Sequence, residues 1–228
     1  MWSDFMRILA LETATEACSA ALYLDGETLE RFEMAPRRHA QRILPMLEEL
    51  LAEAGLALEA LDALAFGRGP GAFTGLRIAA GAVQGLALGA NLPVVPVSTL
   101  AALAWEVFCG SEAEYALAAL DARMGEVYWG IYRRGCDLVI PESIIAPESV
   151  VFPDEVKGIG IGPGWKVYGE VLRRRLGEER LLEIWPERLP RALAVARLAA
   201  AMFARGEAVA AEQALPVYLR ERVAKVAG

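Results

Sequence analysis

Apolar positions change their period several times along the chain, and each change predicts an element. Met6 to Leu11 is an apolar run that predicts a central strand. Cys18 to Leu24 and Thr28 to Met34 follow as two further strands, and Asp25-Gly26 between them is a strong hairpin signal. From Ala40 to Ala54 the spacing becomes helical, with Ile43, Leu44, Leu47, Leu50, Leu51 and Ala54 on one apolar face and Gly55 as its stop. Pro45 must lie in the first turns of that helix or kink it. Leu44, Met46 and Leu51 widen the face beyond one seam, which either covers a sheet or turns one edge to a partner. Leu61 to Phe66 then predicts a buried strand.

The chain is organised around what comes next, a loop carrying Gly67, Gly69, Gly71 and Gly75 around Pro70. Thr74 is placed to cap the following helix. That helix carries Gly81, Gly85 and Gly89 at four-residue spacing among Ala79, Ala80, Ala82, Ala87 and Ala90. A mid-helix glycine costs about 0.8–1 kcal/mol against alanine, so three in one stripe call for a compensating close approach of another backbone. Helix–sheet packing inside the chain and contact with a second chain both satisfy that requirement. As a phosphate cradle the loop fails two templates. No lysine follows the glycines as a P-loop needs, and no G-x-G-x-x-G can be drawn through them. A weak anion site at the helix N-terminus remains, made of Arg68, Gly69, Gly71, Thr74 and Gly75 with Arg77 nearby, beside the alternative of a structural turn.

Asn91 to Val97 predicts a turn and a short strand, and Ser98 opens a helix to about Phe108. Cys109 to Glu114 reads as the crossing into a second lobe, which divides the chain at 1–108 and 109–228, with the C-terminal segment free to pack back on the first. Tyr115 to Asp121 and Val127 to Tyr132 form a second hairpin, and the run to Ile145 a third strand. No sequence repeat links the two lobes. Asp121, Arg123 and Glu126 lie at that hairpin's turn, where ionisable side chains are either solvated or project into a cleft. Arg123 has the fork geometry for a phosphate or carboxylate. A second glycine cluster at Gly158, Gly160, Gly162 and Gly164 leads into a helix over Val167 to Leu176; another helix spans Pro190 to Ala204, and Leu215 to Gly228 is an irregular or short helical tail.

Composition narrows the function. The 228 residues are 55 % hydrophobic, ample for a core, and the net charge of −7 disfavours gripping a nucleic-acid backbone unaided. Cys18, Cys109 and Cys136 lack metal or redox spacing and read as buried thiols. Met1 to Phe5 shows no basic n-region, and the glycine-striped helix falls short of about 20 residues and contains Gln84, so a cytoplasmic location without a membrane span is expected. His39 is the one histidine, which excludes a multi-histidine metal site and leaves a Ser–His–Asp hydrolase without a G-x-S-x-G elbow. The turn Glu12-Thr13-Ala14-Thr15 after the first strand carries an acid and hydroxyls but no glycine, which suits capping by Thr13 and Thr15 more than phosphate contact.

HAQRILP at His39 to Pro45, GRGPGAFTGLRIAAGAVQGLALG from Gly67, STLAALA at Ser98 to Ala104 and DARMGEVYWGIY at Asp121 to Tyr132 closely resemble the bacterial TsaB (YeaZ) family, as do LETATEACSAAL near the start and PVYLRE near the end. The resemblance implies a two-lobed α/β fold of the actin-like, RNase-H-like (ASKHA) type, with mixed sheets flanked by helices. It also implies a non-catalytic subunit that binds and activates TsaD. TsaD would move a threonylcarbamoyl group from its adenylate onto the adenosine beside the anticodon of ANN-decoding tRNAs. The family's two helices pack on the equivalent pair of a second subunit. That places Ile43, Leu47, Leu50 and Ala54, with Arg77, Ile78, Gly81, Ala82, Gly85 and Gly89, at the interface, and Asp121, Arg123 and Glu126 toward the partner side. Implied partners are TsaD in a heterodimer, TsaE in a larger assembly, a second copy when the chain is alone, and tRNA at most through the complex. No cofactor is implied for the isolated chain; ATP or ADP and metal would enter through TsaD and TsaE. TsaD's H-x-x-x-H metal helix has no counterpart after STLAAL, where residues 100–112 lack histidine. An ATP-dependent phosphotransferase of the same fold, and a peptidase using His39, are the alternatives.

Overall fold

The computed structural model describes residues 6–220, so the readings for Met1 to Phe5 and for residues 221–228 fall outside the described residues. The first five strands, β1 (Arg7–Glu12), β2 (Ala17–Leu24), β3 (Glu27–Met34), β4 (Ala63–Gly67) and β5 (Val94–Val97), form one sheet in the order β3-β2-β1-β4-β5. The next five, β6 (Tyr115–Arg123), β7 (Glu126–Arg133), β8 (Asp137–Ile145), β9 (Gly158–Ile161) and β10 (Leu181–Trp185), form another in the order β10-β9-β6-β7-β8. The two orders are the same connectivity. In each sheet the first strand is central, pairs antiparallel with its hairpin neighbour, and pairs parallel with the fourth strand. This is the two-lobed actin-like architecture, duplicated in topology although not in sequence.

Local chemistry sets the turns. Asp25 and Gly26 take φ 47° and 96°, the left-handed pair that a two-residue hairpin between right-twisted strands requires. Helix α1 (His39–Ala54) ends where Gly55 turns left-handed, and the Gly55 N–H donates to Ala52 O. Helix α3 (Thr99–Gly110) is capped by Ser98, whose Oγ accepts from the Leu100 and Ala101 amides. Helix α2 (Phe73–Ala90) begins two residues earlier than Thr74 could cap, and its N-cap is Ala72 with no side-chain bond. The Ala72 N–H instead donates across to Ala14 O at 2.7 Å, so the start is fixed by a tertiary bond. Helix α4 (Pro163–Leu176) likewise starts ahead of Val167, with Pro163 in its first turn, where the missing N–H has no partner to lose. Helix α5 spans Ala192–Ala204.

Packing places these helices. Ile43, Leu47 and Leu50 of α1 and Ala79, Val83 and Ala87 of α2 share a core with Leu22 and Phe66 of the first sheet. Helices α3 and α5 lie between the lobes, each crossing over. Leu100, Leu103 and Val107 of α3 pack with Ala116 and Ile161 of the second sheet, while Val195 and Ala199 of α5 pack with Ile8 and Val95 of the first. The packing therefore assigns α3 to the second core, and returns the chain from 192 onward to the first, where Val209 pairs with Val94. Of the cysteines only Cys18 is fully buried. Cys109, at the end of α3, is exposed, because the helix runs out of the core there.

Candidate functional site

Two regions carry the residues singled out in the sequence: the outer face of α1 and α2, and the strand ends where the lobes meet. On α1, Arg42, Glu49 and Glu53 bond to Glu33 and Arg31 of β3, which fixes that flank toward the sheet edge. Helical spacing then puts Leu44 and Leu51 on the opposite flank, facing α2. On α2, Gln84 donates to Ala214 O and Arg77 to the Tyr218 hydroxyl, so one flank faces the C-terminal segment. Helical spacing puts Ile78 and Ala82 away from that flank, where both are half-buried.

Of the residues assigned to the partner face, Ile43, Leu47 and Leu50 do not lie on it. They are 1, 2 and 0 % exposed and form part of the chain's own core, because the strongest apolar stripe of α1 is the one that covers the sheet. Ala54, Ile78 and Ala82 are half-buried at its rim. The glycine stripe is different. Gly81, Gly85 and Gly89 are exposed, and a Cβ built on any of them meets no atom within 4 Å. Among the described residues no backbone comes close, so none of them supplies the compensation inferred for these glycines. Leu44 and Leu88 stand beside them at 43 and 64 % exposure. By length and composition α2 could cross a bilayer, yet its inner face builds the first core, and 33 % of it is buried. A helix with one face in a core and an apolar, small-residue face left open can take a second helix close against it.

The glycine loop faces the other way and is filled by the chain itself. A Cβ on Gly67 would lie 1.9 Å from Glu12 Oε2, on Gly71 2.6 Å from Ala14 Cβ, and on Gly75 1.9 Å from Thr13 O. These three glycines let the loop and helix close directly over the Glu12–Ala14 turn. Thr13 Oγ1 donates to Gly75 O, and Thr15 Oγ1 accepts from the Ala17 N–H. Glu12 is buried; its carboxylate accepts from the Ala14 N–H at 2.6 Å and from Thr99 Oγ1 at 3.2 Å. Burial outweighs those bonds and pushes its pKa up to about 7. Arg77 is engaged too. The Arg77 guanidinium lies 3.8 Å over the Phe73 ring, while Thr74 is simply exposed. The second glycine cluster does the same work in the second lobe, with Gly160 against Trp165 and both Gly162 and Gly164 against Ala119.

At the hairpin between β6 and β7, Arg123, Met124 and Gly125 run left-handed in succession, at φ 64°, 56° and 79°. Asp121 accepts from the Arg123 amide and from the Tyr168 hydroxyl, and pairs with the Arg123 guanidinium at 3.0 Å. Glu126 is taken by Arg220 at 2.5 Å. Arg123 is the most exposed charge of the three, its side chain 79 % exposed although it pairs with Asp121. Arg220 was not singled out in the sequence; only the length of chain returning from α5 would have pointed to it. His39 opens α1, is buried, and its Nε2 lies 3.1 Å from Ala17 O, which anchors the start of the helix to β2. Among the described residues no three His, Cys, Asp or Glu side chains converge as a metal set would.

The family model for TsaD, tRNA N6-adenosine threonylcarbamoyltransferase, matches residues 32–169. The tRNA threonylcarbamoyladenosine biosynthesis protein TsaB of Escherichia coli K12 is 46 % identical over 230 residues, with 96 % of each chain covered. Its namesake in Haemophilus influenzae is 40 % identical, covering 96 % of this chain and 95 % of that one. The solved structure of YeaZ from Pseudomonas aeruginosa superposes with a TM-score of 0.87 at 50 % identity, covering 94 % of this chain and 100 % of that one.

Proposed function

The chain belongs to the TsaB (YeaZ) family and takes part in tRNA threonylcarbamoyladenosine biosynthesis, and from that premise we propose that it is a non-catalytic subunit that docks on TsaD and holds it active. The observation that carries this reading is the open stripe of Gly81, Gly85 and Gly89 on an otherwise apolar helix. Three exposed glycines weaken the isolated helix, and nothing among the described residues packs against them to compensate. A partner helix brought close against them would. Leu44 and Leu88, with the rims of Ile78 and Ala82, supply apolar area around that contact.

In this reading the same face takes a second copy when TsaD is absent, and TsaE joins the assembly of this chain with TsaD. ATP or ADP and metal are held by TsaD and TsaE, and tRNA is gripped by the assembly, since a chain of charge −7 has little attraction for phosphates. The Glu12 turn supports the division of labour. The space beside the first turn is closed by Gly67, Gly71 and Gly75, and the acid there is buried and spoken for by Ala14 and Thr99. Arg123, exposed at its hairpin, is the side chain of this subunit offered to a phosphate or carboxylate at the shared cleft.

The test is threonylcarbamoyl transfer to an ANN-decoding tRNA by TsaD and TsaE, with and without this chain. Transfer should depend on the chain and should survive His39→Ala. Transfer unaffected by omitting the chain would overturn the reading. Tight ATP binding by the isolated chain would favour a phosphotransferase instead.

A further inference from the structure

The segment from Leu215 to Arg220 runs from one lobe to the other across the mouth between their strand ends. On the first lobe the Val217 N–H donates to Arg68 O at 2.8 Å. The Tyr218 ring lies 5.3 Å from the Phe73 ring, and its hydroxyl accepts from Arg77 Nε at 3.2 Å. Gly69, at φ 107°, admits this strand of chain, because a Cβ there would fall 2.8 Å from Val217 O. On the second lobe Arg220 Nη2 donates to Ala122 O at 3.2 Å and to Glu126 Oε2 at 2.5 Å, while Nη1 lies against Met124 Sδ.

Those two ends sit where strands of the two sheets stop. Arg68 and Gly69 follow β4, and Ala122 to Glu126 form the β6–β7 turn. Two residues, Tyr218 and Leu219, separate Val217 from Arg220, and the three backbone steps between them span at most about 10 Å when fully extended. The strap is therefore short, and it ties a loop of the first lobe to the hairpin of the second at this mouth. The second end also bears on strained backbone. Arg123 and Met124 hold left-handed φ values that non-glycine residues adopt only when their surroundings enforce them, and Arg220 contacts the residues on both sides of Arg123.

We propose that Pro216–Arg220 is a latch that holds the two lobes closed at the mouth of the cleft, with Tyr218 and Arg220 as its two fastenings. Opening of the lobes and release of either fastening are then one event. The latch is a property of the free chain and stands whether or not TsaD is the partner.

Hydrogen exchange of the full-length chain tests this, read by mass spectrometry on wild type, Arg220→Ala, Tyr218→Ala and the double variant. Arg220→Ala should raise exchange about tenfold at residues 122–127, and about threefold or more at residues 68–73, which Arg220 does not touch. Tyr218→Ala should do the converse, quickening the distant hairpin as well as the near loop. Because either break opens the latch, the double variant should exchange no faster than the faster single variant. Effects confined to each variant's own end, multiplying in the double variant, would overturn the proposal and leave two independent anchors. If Arg220→Ala does not fold, Arg220→Lys keeps the charge and loses the fork, and the same cross-lobe response is required of it.

Discussion

Replacing Gly81, Gly85 and Gly89 together with alanine separates what these residues do for the chain from what they do for its contacts. A methyl group on each points into open space, so the isolated fold should accept it without displacement. Alanine in a helix interior is favoured over glycine by about 0.8–1 kcal/mol, so three replacements should stabilise the monomer by roughly 2–3 kcal/mol. The sites share no partner within the chain, which makes near-additivity the expectation. For a chain of this size each kcal/mol raises Tm by about 2–4 °C, giving a gain of about 5–10 °C. Urea unfolding checks this at a protein concentration where the midpoint no longer depends on concentration, so that dimer dissociation does not enter. The same methyls must intrude wherever another backbone lies against the stripe, so association should weaken while the monomer gains. A triple variant less stable than wild type would refute the reasoning, since the glycines would then be packing inside the chain. A more stable variant with unaltered association would remove the stripe from the interface.

Two further outcomes follow from the same structure. Gly75→Ala, in the same helix, should lower stability by about 1–3 kcal/mol in the same unfolding assay, because its Cβ would meet Thr13 O at 1.9 Å; a neutral or stabilising result would mean that the turn is not clamped by the helix. Glu12→Gln tests the buried acid. The folded state holds that proton up to about pH 7 and the unfolded chain releases it near 4.5, so folding binds a proton between them and this group's contribution is full at low pH and lost as pH rises through 7. The glutamine variant should therefore match wild type near pH 4 and exceed it above pH 7, by on the order of 3 kcal/mol, in unfolding measured across that range. A difference that does not change with pH would show that Glu12 titrates as an ordinary exposed acid.

Elements with strong local signals were legible in the sequence. Asp25-Gly26 dictated the hairpin, Gly55 the end of α1, and Ser98 the start of α3, each through one backbone or side-chain preference. The starts of α2 and α4 were not, because Ala72 is fixed by a bond to Ala14 across the fold and Pro163 was masked by the glycines on either side. Strand β10, Leu181–Trp185, escaped notice as five residues on a sheet edge with no alternation to mark it. The duplication of the lobes was invisible as sequence, since strand order constrains which positions are apolar and not which residues fill them. The open stripe of α2 was legible in the sequence, and the face of α1 that buries in the core was not told apart from its open flank. Periodicity finds the most apolar stripe of a helix, and on α1 that stripe of Ile43, Leu47 and Leu50 belongs to the core, with the open flank at Leu44. Only the position of the sheet tells the two apart. The latch could not be read at all, because nothing local in Pro216–Arg220 says which loops it meets.

Docking through the glycine stripe is tested most directly by mixing the chain with TsaD, as wild type and as Gly85→Arg, and weighing the complexes by size-exclusion chromatography with light scattering. The arginine has open space to occupy in the free chain, so the variant should fold as wild type does. Wild type should elute with TsaD as a one-to-one complex, and alone as a dimer, while the variant should remain a monomer in both experiments. A Gly85→Arg chain that still forms both complexes at wild-type concentrations would contradict the account and move the docking face elsewhere.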